Sequence, residues 1–242
     1  MKEAIQLKEL TIDIYSDGAD LEQMKQAHAT GHVDGFTTNP SLMKEAGIDD
    51  YNAFAKRAIE AFPELPISFE VYADDFDTMR KEAEKIATFG DNVFVKIPVM
   101  NTLGESAIPL IKDLSEQGIK LNVTAIFTLE QVEEVVDALK EGVDSIVSVF
   151  AGRIADTGRD PMDIMKKSAE LCHAKDGVKL LWASTRELIN LYQAQESGSD
   201  IITVPPSIIK KMNNIGKDLL EYSQDTVKGF NSDIKELSYT IL

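Results

Sequence analysis

What this chain of 242 residues lacks narrows its function before any motif is considered. It has one cysteine, Cys172, which excludes an internal disulfide framework and a cysteine-based zinc site. Its three histidines, His28, His32 and His173, are scattered over segments that read as helix or loop. They do not form the His-x-His or clustered-carboxylate pattern a metal-dependent barrel hydrolase would need at its strand ends. Positive charge is scarce: 25 Lys and Arg face 41 Asp and Glu, for a net charge of −16. Nucleic acid and anionic membranes demand a basic footprint, so neither is an expected partner. A small phosphorylated ligand stays open, because a few arginines and helix N-termini set a local field. No apolar run approaches a membrane span, and Met1-Lys2-Glu3-Ala4-Ile5-Gln6 has no apolar h-region of a secretory leader. A cytoplasmic protein is expected. No Gly-x-Gly-x-x-Gly follows a strand-like run and no Gly-x-x-x-x-Gly-Lys-Ser/Thr occurs, which weakens a nucleotide-binding, doubly wound sheet.

What is present is a strict alternation of β-branched runs and helix-period segments. Strands are expected at 11–16, 35–38, 67–72, 93–99, 121–127, 145–150, 179–183 and 200–204. Helices are expected at 20–30, 51–61, 75–89, 105–117, 129–141, 161–174, 186–197 and 207–212. Eight strand–helix units imply an α/β fold with a closed parallel sheet, a (β/α)8 TIM barrel with additional C-terminal helices. No linker divides the chain, so residues 1–242 read as one domain. The tail at 214–242 carries Leu219, Leu220, Val227, Phe230, Ile234, Leu237 and Ile241, too apolar for a free end. It is expected to pack under the barrel or against another subunit.

One heptapeptide stands out. Val93-Phe94-Val95-Lys96-Ile97-Pro98-Val99 places a lysine in an otherwise apolar run. Such a run reads as a buried strand, and lysine is almost never buried without a partner or a task. Desolvation disfavours the ammonium form, so a buried lysine is a candidate amine nucleophile for Schiff-base chemistry on a carbonyl. The plainer reading is a lysine near a strand end that extends its head into solvent.

The other strands decide between these readings. Barrel sites form at the C-terminal strand ends, and polar residues collect there: Asp17 after the first strand, Asn39 after the second, Glu70 on the third. The fifth strand carries Asn122 and Thr124 on one face. Ser148 lies on the sixth, with Arg153 past its end, and Ser184 and Arg186 follow the seventh. Taken singly, Asn39 could be a turn residue, Thr124 a strand former, and Asp17 or Ser184 a helix cap. Glu70 is harder to dismiss, since a carboxylate between Phe69 and Val71 must be paired or protonated. Together the set suits a polar, anionic, carbonyl-bearing molecule. A non-catalytic barrel that only binds sugar phosphates would have no use for the buried amine.

These residues also sit in segments that resemble the transaldolase family: Ser16-Asp17-Gly18-Ala19-Asp20, Phe36-Thr37-Thr38-Asn39-Pro40-Ser41-Leu42 and Ile67-Ser68-Phe69-Glu70-Val71. Further along come Val95-Lys96-Ile97-Pro98, Leu121-Asn122-Val123-Thr124, Ser148-Val149-Phe150-Ala151-Gly152-Arg153-Ile154 and Ala183-Ser184-Thr185-Arg186. They occur in the family's order across most of the chain, whose length is that of the shorter members. The resemblance implies a class I mechanism without metal or other cofactor. In it Lys96 forms a Schiff base with a ketose phosphate such as fructose 6-phosphate or sedoheptulose 7-phosphate. A dihydroxyacetone unit then passes to glyceraldehyde 3-phosphate or erythrose 4-phosphate, as in the pentose phosphate pathway.

By the same resemblance, Glu70, Thr124 and a water relay protons, and Asp17 takes and returns the C4 hydroxyl proton. Asp13 is mid-strand and four residues early, and Asp20 fits a helix cap, so the role falls to Asp17. Asn39, Asn122 and Ser148 hold the three-carbon fragment, while Arg153, Ser184 and Arg186 bind phosphate. A close relative, the fructose-6-phosphate aldolase branch, typically has glutamine where Glu70 stands and tyrosine where Phe150 stands. A phenol there can hydrogen-bond the water that frees the enamine, and phenylalanine cannot. The pair in this chain is that of the transferase. The tail resembles helices through which short members build ring-shaped decamers, so a homo-oligomer is expected.

Overall fold

A computed structural model describes residues 9–237, 239 and 241. The leader expectation rests on residues 1–6, which lie outside the described residues. Eight parallel strands close into a barrel in chain order: β1 (Asp13–Asp17), β2 (Gly35–Thr37), β3 (Ile67–Glu70), β4 (Val93–Pro98), β5 (Leu121–Ile126), β6 (Ser145–Val149), β7 (Val178–Trp182) and β8 (Ile201–Val204). Closure comes from β1 pairing with β8, Asp13 opposite Ile201 through Ser16 opposite Val204. The expected TIM barrel is therefore present, each strand within two residues of its expected place.

Strand residues facing outward join an apolar layer beneath the helices, with Phe36, Phe69, Val95, Ile97, Val123 and Val147 fully buried there. Residues facing inward form a separate plug of Tyr15, Ile146, Leu181, Ala183 and Ile201, with Phe94 packed against it. This alternation is why a buried lysine can occur between Val95 and Ile97: they point into the helix layer, and Lys96 points into the barrel.

The helices are α1 (Leu21–His28), α2 (Pro40–Glu45), α3 (Tyr51–Ala61), α4 (Phe76–Ala87), α5 (Ile108–Glu116), α6 (Leu129–Ala138), α7 (Ala151–Asp156), α8 (Met162–His173), α9 (Asn190–Glu196), α10 (Pro206–Lys211) and α11 (Leu219–Glu236). Asp20, Asp50 and Asp75 start α1, α3 and α4 by accepting a backbone N–H, and Thr128 with Gln131 forms a capping box on α6. Two short helices, α2 and α7, were not expected. They lie immediately after β2 and β6 and lead the chain away from the strand ends.

Two helix starts are later than expected. Residues 100–106 fold back on themselves, with Met100 bridged to Ser106 and Asn101 Nδ2 donating to Glu105 Oε2 at 2.6 Å, so α5 begins at Ile108. At α9, Asn190 Oδ1 accepts the N–H groups of both Arg186 and Glu187, at 2.9 and 2.8 Å. That holds 186–187 in a turn, and Arg186 sits on a loop rather than on a helix.

The tail departs from one of its two expected positions. None of the 18 residues of α11 is buried, so it does not pack under the barrel. Leu220, Val227, Phe230, Ile234 and Leu237 are exposed at helical spacing and form one apolar stripe.

Candidate active site

The site is built from strand register. Glu70 on β3 stands opposite Lys96 on β4, and Lys96 opposite Asn122 on β5, so three inward side chains form one row. Ser148 on β6 extends it: its hydroxyl donates to Asn122 Oδ1 at 2.6 Å, while Asn122 Nδ2 donates to Ser68 Oγ at 3.0 Å. Both ends of the buried amide are thereby fixed.

Lys96 is only 8% exposed. Its Nζ donates to the Thr38 carbonyl at 2.5 Å and lies 3.5 Å from Glu70 Oε2. It does not extend its head into solvent. Glu70 Oε1 accepts from Thr124 Oγ1 at 3.3 Å. Thr124 reaches it beside a bulge: the β5–β6 register shifts between Val123 and Ile126, with Ala125 at φ +58°.

Across the barrel, Asp17 is half-buried at the cavity wall, and desolvation holds its carboxyl above the usual carboxylate range. The neighbouring Lys96 and the Thr37 hydroxyl act in the opposite sense. Thr37 Oγ1 donates to Asp17 Oδ1 at 2.8 Å and is itself 2.5 Å from Thr203 Oγ1. With the Thr37 proton on Asp17, Thr203 is the donor to Thr37, and the three form a directed chain. The Asp20 side chain instead caps α1.

At the outer rim, the Arg153 guanidinium lies 5.2 Å from the centroid of the Phe150 ring. Ser184 has φ +65°, an unusual conformation for a residue with a side chain. Its carbonyl lies directly against Gly152, where a Cβ would come within 1.6 Å of the oxygen. Arg186 is held by Asp156: Nε lies 3.2 and 3.1 Å from its two oxygens and Nη2 lies 2.5 Å from Oδ2. That pairing lowers the Asp156 carboxyl below its ordinary range.

All the residues singled out from the sequence line one cavity of about 620 Å³ at the C-terminal mouth: Asp17, Asn39, Glu70, Lys96, Asn122, Thr124, Ser148, Phe150, Arg153, Ser184 and Arg186. Asn39 has a second occupation, because its Oδ1 caps α2 through Leu42 N–H at 3.0 Å, and its amide nitrogen is left for a ligand. Ser184, read as a possible cap, caps nothing: α9 starts at Asn190. Sequence reading passed over Thr37, Thr38 and Thr203, and it missed that Asp156 engages Arg186. Thr203 could have been found as the polar residue of the eighth strand, in Ile-Ile-Thr-Val.

An amine and two carboxyl groups at a barrel mouth, with guanidinium groups at the rim, are the groups that a class of enzyme acting on anionic carbonyl compounds would need. The comparisons with known proteins give that class a family. Residues 14–241 match the family model described as transaldolase/fructose-6-phosphate aldolase. Similar curated proteins named "Probable transaldolase" include one from Methanococcus maripaludis strain C7, 38% identical over 83% of this chain and 89% of that protein. Another, from Nitrosopumilus maritimus strain SCM1, is 34% identical over 92% of this chain and 99% of that protein. Among solved structures, KGPDC from Streptococcus mutans superposes with a TM-score of 0.56 over 83% of this chain and 90% of that one, and 2,3-dimethylmalate lyase with 0.52 over 98% and 87%. At 14% and 12% identity these two show the shared barrel alone. The chain belongs to the transaldolase/fructose-6-phosphate aldolase family, and the names in that family are those of transaldolase-type enzymes.

Proposed function

We propose that this protein is a transaldolase that moves a dihydroxyacetone unit between sugar phosphates through a Schiff base on Lys96. The observation that carries the reading is the amine of Lys96, enclosed in the barrel and facing the Thr38 carbonyl and the Glu70 carboxylate. Glu70 accepts a proton from the ammonium, and the free amine adds to the ketone carbon of fructose 6-phosphate or sedoheptulose 7-phosphate. The carbinolamine loses its hydroxyl as water, with protons passing between Glu70, Thr124 and solvent. Asp17 then removes the C4 hydroxyl proton. The C3–C4 electron pair moves toward the iminium nitrogen, leaving an enamine on Lys96 and releasing an aldose phosphate. An incoming glyceraldehyde 3-phosphate or erythrose 4-phosphate takes the enamine carbon at its carbonyl, and Asp17 returns the proton to the new hydroxyl. Water hydrolyses the Schiff base.

Asn122 and Ser148, locked to each other, hold the three-carbon fragment with the Asn39 amide, and Arg153, Ser184 and Arg186 take the phosphate. Nothing in this sequence of steps requires a cofactor. The pentose phosphate pathway and the cytoplasm are the setting that fits such substrates. Among the described residues no helix is long and apolar enough to cross a membrane. The exposed stripe on α11 supports assembly into a homo-oligomer, with a decameric ring as the expected form.

The second reading, a lyase that releases free dihydroxyacetone, shares every step up to the enamine. Phe150 favours transfer, since its ring, packed 5.7 Å from Phe127 and against Arg153, offers no hydroxyl to hold a water that would quench the enamine. The deciding experiment is borohydride reduction in the presence of fructose 6-phosphate, followed by intact mass and peptide mapping. A reduced three-carbon adduct on Lys96 is expected. A folded enzyme with no adduct on Lys96 would remove the lysine mechanism and return a binding-only barrel to consideration.

A further inference from the structure

Thr203 is the single polar residue of β8, set between Ile202 and Val204, which point into the helix layer. It faces into the barrel with Ile201 and lines the cavity at the C-terminal mouth, only 7% exposed. β-branching alone would be served as well by valine. The hydroxyl and the carbonyl of Thr203, however, are each bonded to a segment that carries groups of the site.

The hydroxyl reaches across a strand. β2 and β8 flank β1 on opposite sides, yet Thr203 Oγ1 and Thr37 Oγ1 meet 2.5 Å apart, with no room for a water between them. Thr37 gives its proton to Asp17 Oδ1 at 2.8 Å, so Thr203 is the donor to Thr37. A hydroxyl that accepts one bond donates a stronger one, because bonds in a chain polarise each other. Asp17 is thereby tied at Oδ1, and Oδ2 is left to face a ligand. Desolvation raises the Asp17 carboxyl, Lys96 and the Thr37 hydroxyl lower it, and Glu70 raises it. Glu45 of α2 lines the same cavity, and Asp20 of α1 and Lys210 of α10 line the one beside it.

The Thr203 carbonyl accepts from Thr185 Oγ1 at 2.7 Å. Thr185 is itself buried and stands between Ser184 and Arg186, the residues read as phosphate ligands. That bond holds the loop to the sheet. One residue of β8 is therefore bonded toward the base through its side chain and toward the phosphate loop through its backbone.

We propose that Thr203 is a positioning residue: through Thr37 it holds Asp17 in the orientation that takes the C4 proton, and through Thr185 it fixes the 184–186 loop relative to that base. The inference rests on the transaldolase reading, in which Asp17 moves that proton. Without the Thr203 hydroxyl, Thr37 loses the bond that fixes its rotor. Its donation to Asp17 weakens, and the carboxyl rises and turns more freely.

Steady-state transfer from fructose 6-phosphate to erythrose 4-phosphate, measured across pH with the full chain, tests this. Thr203→Val keeps the shape and the backbone carbonyl and removes the hydroxyl. It should lower kcat by about tenfold, the worth of about one hydrogen bond, with KM little changed, and move the acid limb of kcat to higher pH. Thr203→Ser should restore both the rate and the limb. Thr203→Ala, which cannot overpack the site, should behave as the valine variant does. Thr185→Val should raise KM for erythrose 4-phosphate by about fivefold and leave the acid limb in place. Given an active parent, Thr203→Val and Thr203→Ala variants that keep kcat, or lose it with an unmoved acid limb, would overturn the role of Thr203 alone. A serine variant as impaired as the valine one would do the same, and an unchanged KM in Thr185→Val would overturn the link to the loop. A parent that forms no reduced three-carbon adduct on Lys96 would overturn the transaldolase reading and this inference together.

Discussion

Replacing Gly152 by alanine probes how the rim of the site is held. The residue stands near the start of α7, one position before Arg153, and its N–H points at the Ala183 carbonyl 3.3 Å away. An added Cβ would sit 1.6 Å from the Ser184 carbonyl oxygen. The two segments must part by roughly 1.4 Å to reach even a tight contact, and a close-packed interior has no slack for that. Overpacking of this kind costs about 1–3 kcal/mol. The obstacle is backbone rather than a side-chain tip, so the upper end applies. In a chain of this size about 3 kcal/mol lowers Tm by roughly 6–12 °C.

The same displacement moves Ser184 and Arg186 away from Arg153. A misplacement of about 1 Å can cost on the order of a hundredfold in rate. On the proposed function, Gly152→Ala should therefore lose about that much kcat/KM with glyceraldehyde 3-phosphate as acceptor and far less with unphosphorylated glyceraldehyde, which has no phosphate for the rim to hold. Melting curves and coupled steady-state assays with the two acceptors give both numbers. A Tm within about 2 °C of the parent, or equal losses with the two acceptors, would refute the idea that this close approach positions the phosphate clamp.

Three further outcomes follow from the same geometry. Asp17→Asn should abolish turnover yet melt higher at neutral pH. Burial holds the native carboxyl above its unfolded value, so the stability it contributes is complete below about pH 4 and is lost as pH rises through the native value. Each tenfold change in proton affinity is worth about 1.4 kcal/mol, and the gain of the asparagine variant in chemical denaturation should vanish toward pH 4; a gain independent of pH would contradict this origin. Phe150→Tyr should raise release of free dihydroxyacetone from fructose 6-phosphate relative to transfer, measured with and without acceptor; an unchanged ratio removes Phe150 as the determinant. Phe230→Asp should shift the protein to smaller species in light scattering with its circular dichroism intact, and an unchanged mass would mean the α11 stripe is not an interface.

The barrel was legible because its signals are repeated: β-branched runs at regular spacing, with an inward polar residue at the same end of strand after strand. Lys96 was legible as a violation of that pattern. What escaped has specific causes. Helices α2 and α7 have six residues each, too few for a 3.6-residue period to stand out. Arg186 and Asp156 are 30 residues apart, and no local pattern pairs them. The left-handed Ser184 has no glycine to announce it, and its signal lies at Gly152, on another segment. The tail's apolar stripe was visible, but amphipathicity does not say whether its cover comes from the same chain.

Glu70, Lys96 and Asn122 hang from three neighbouring strands at one level of the sheet, so backbone pairing rather than any loop sets their spacing. A one-residue slip of any strand would turn its member of the row outward, a fault the buried sheet does not permit. The segment at residues 100–106 supplies no lining residue of the cavity and is correspondingly released from it. The fold-back at residues 100–106 could be lengthened, or exchanged for a segment that reaches over the mouth, without disturbing the reactive row. In this architecture the spacing of the row is inherited with the sheet, and a loop such as 100–106 is left free to vary.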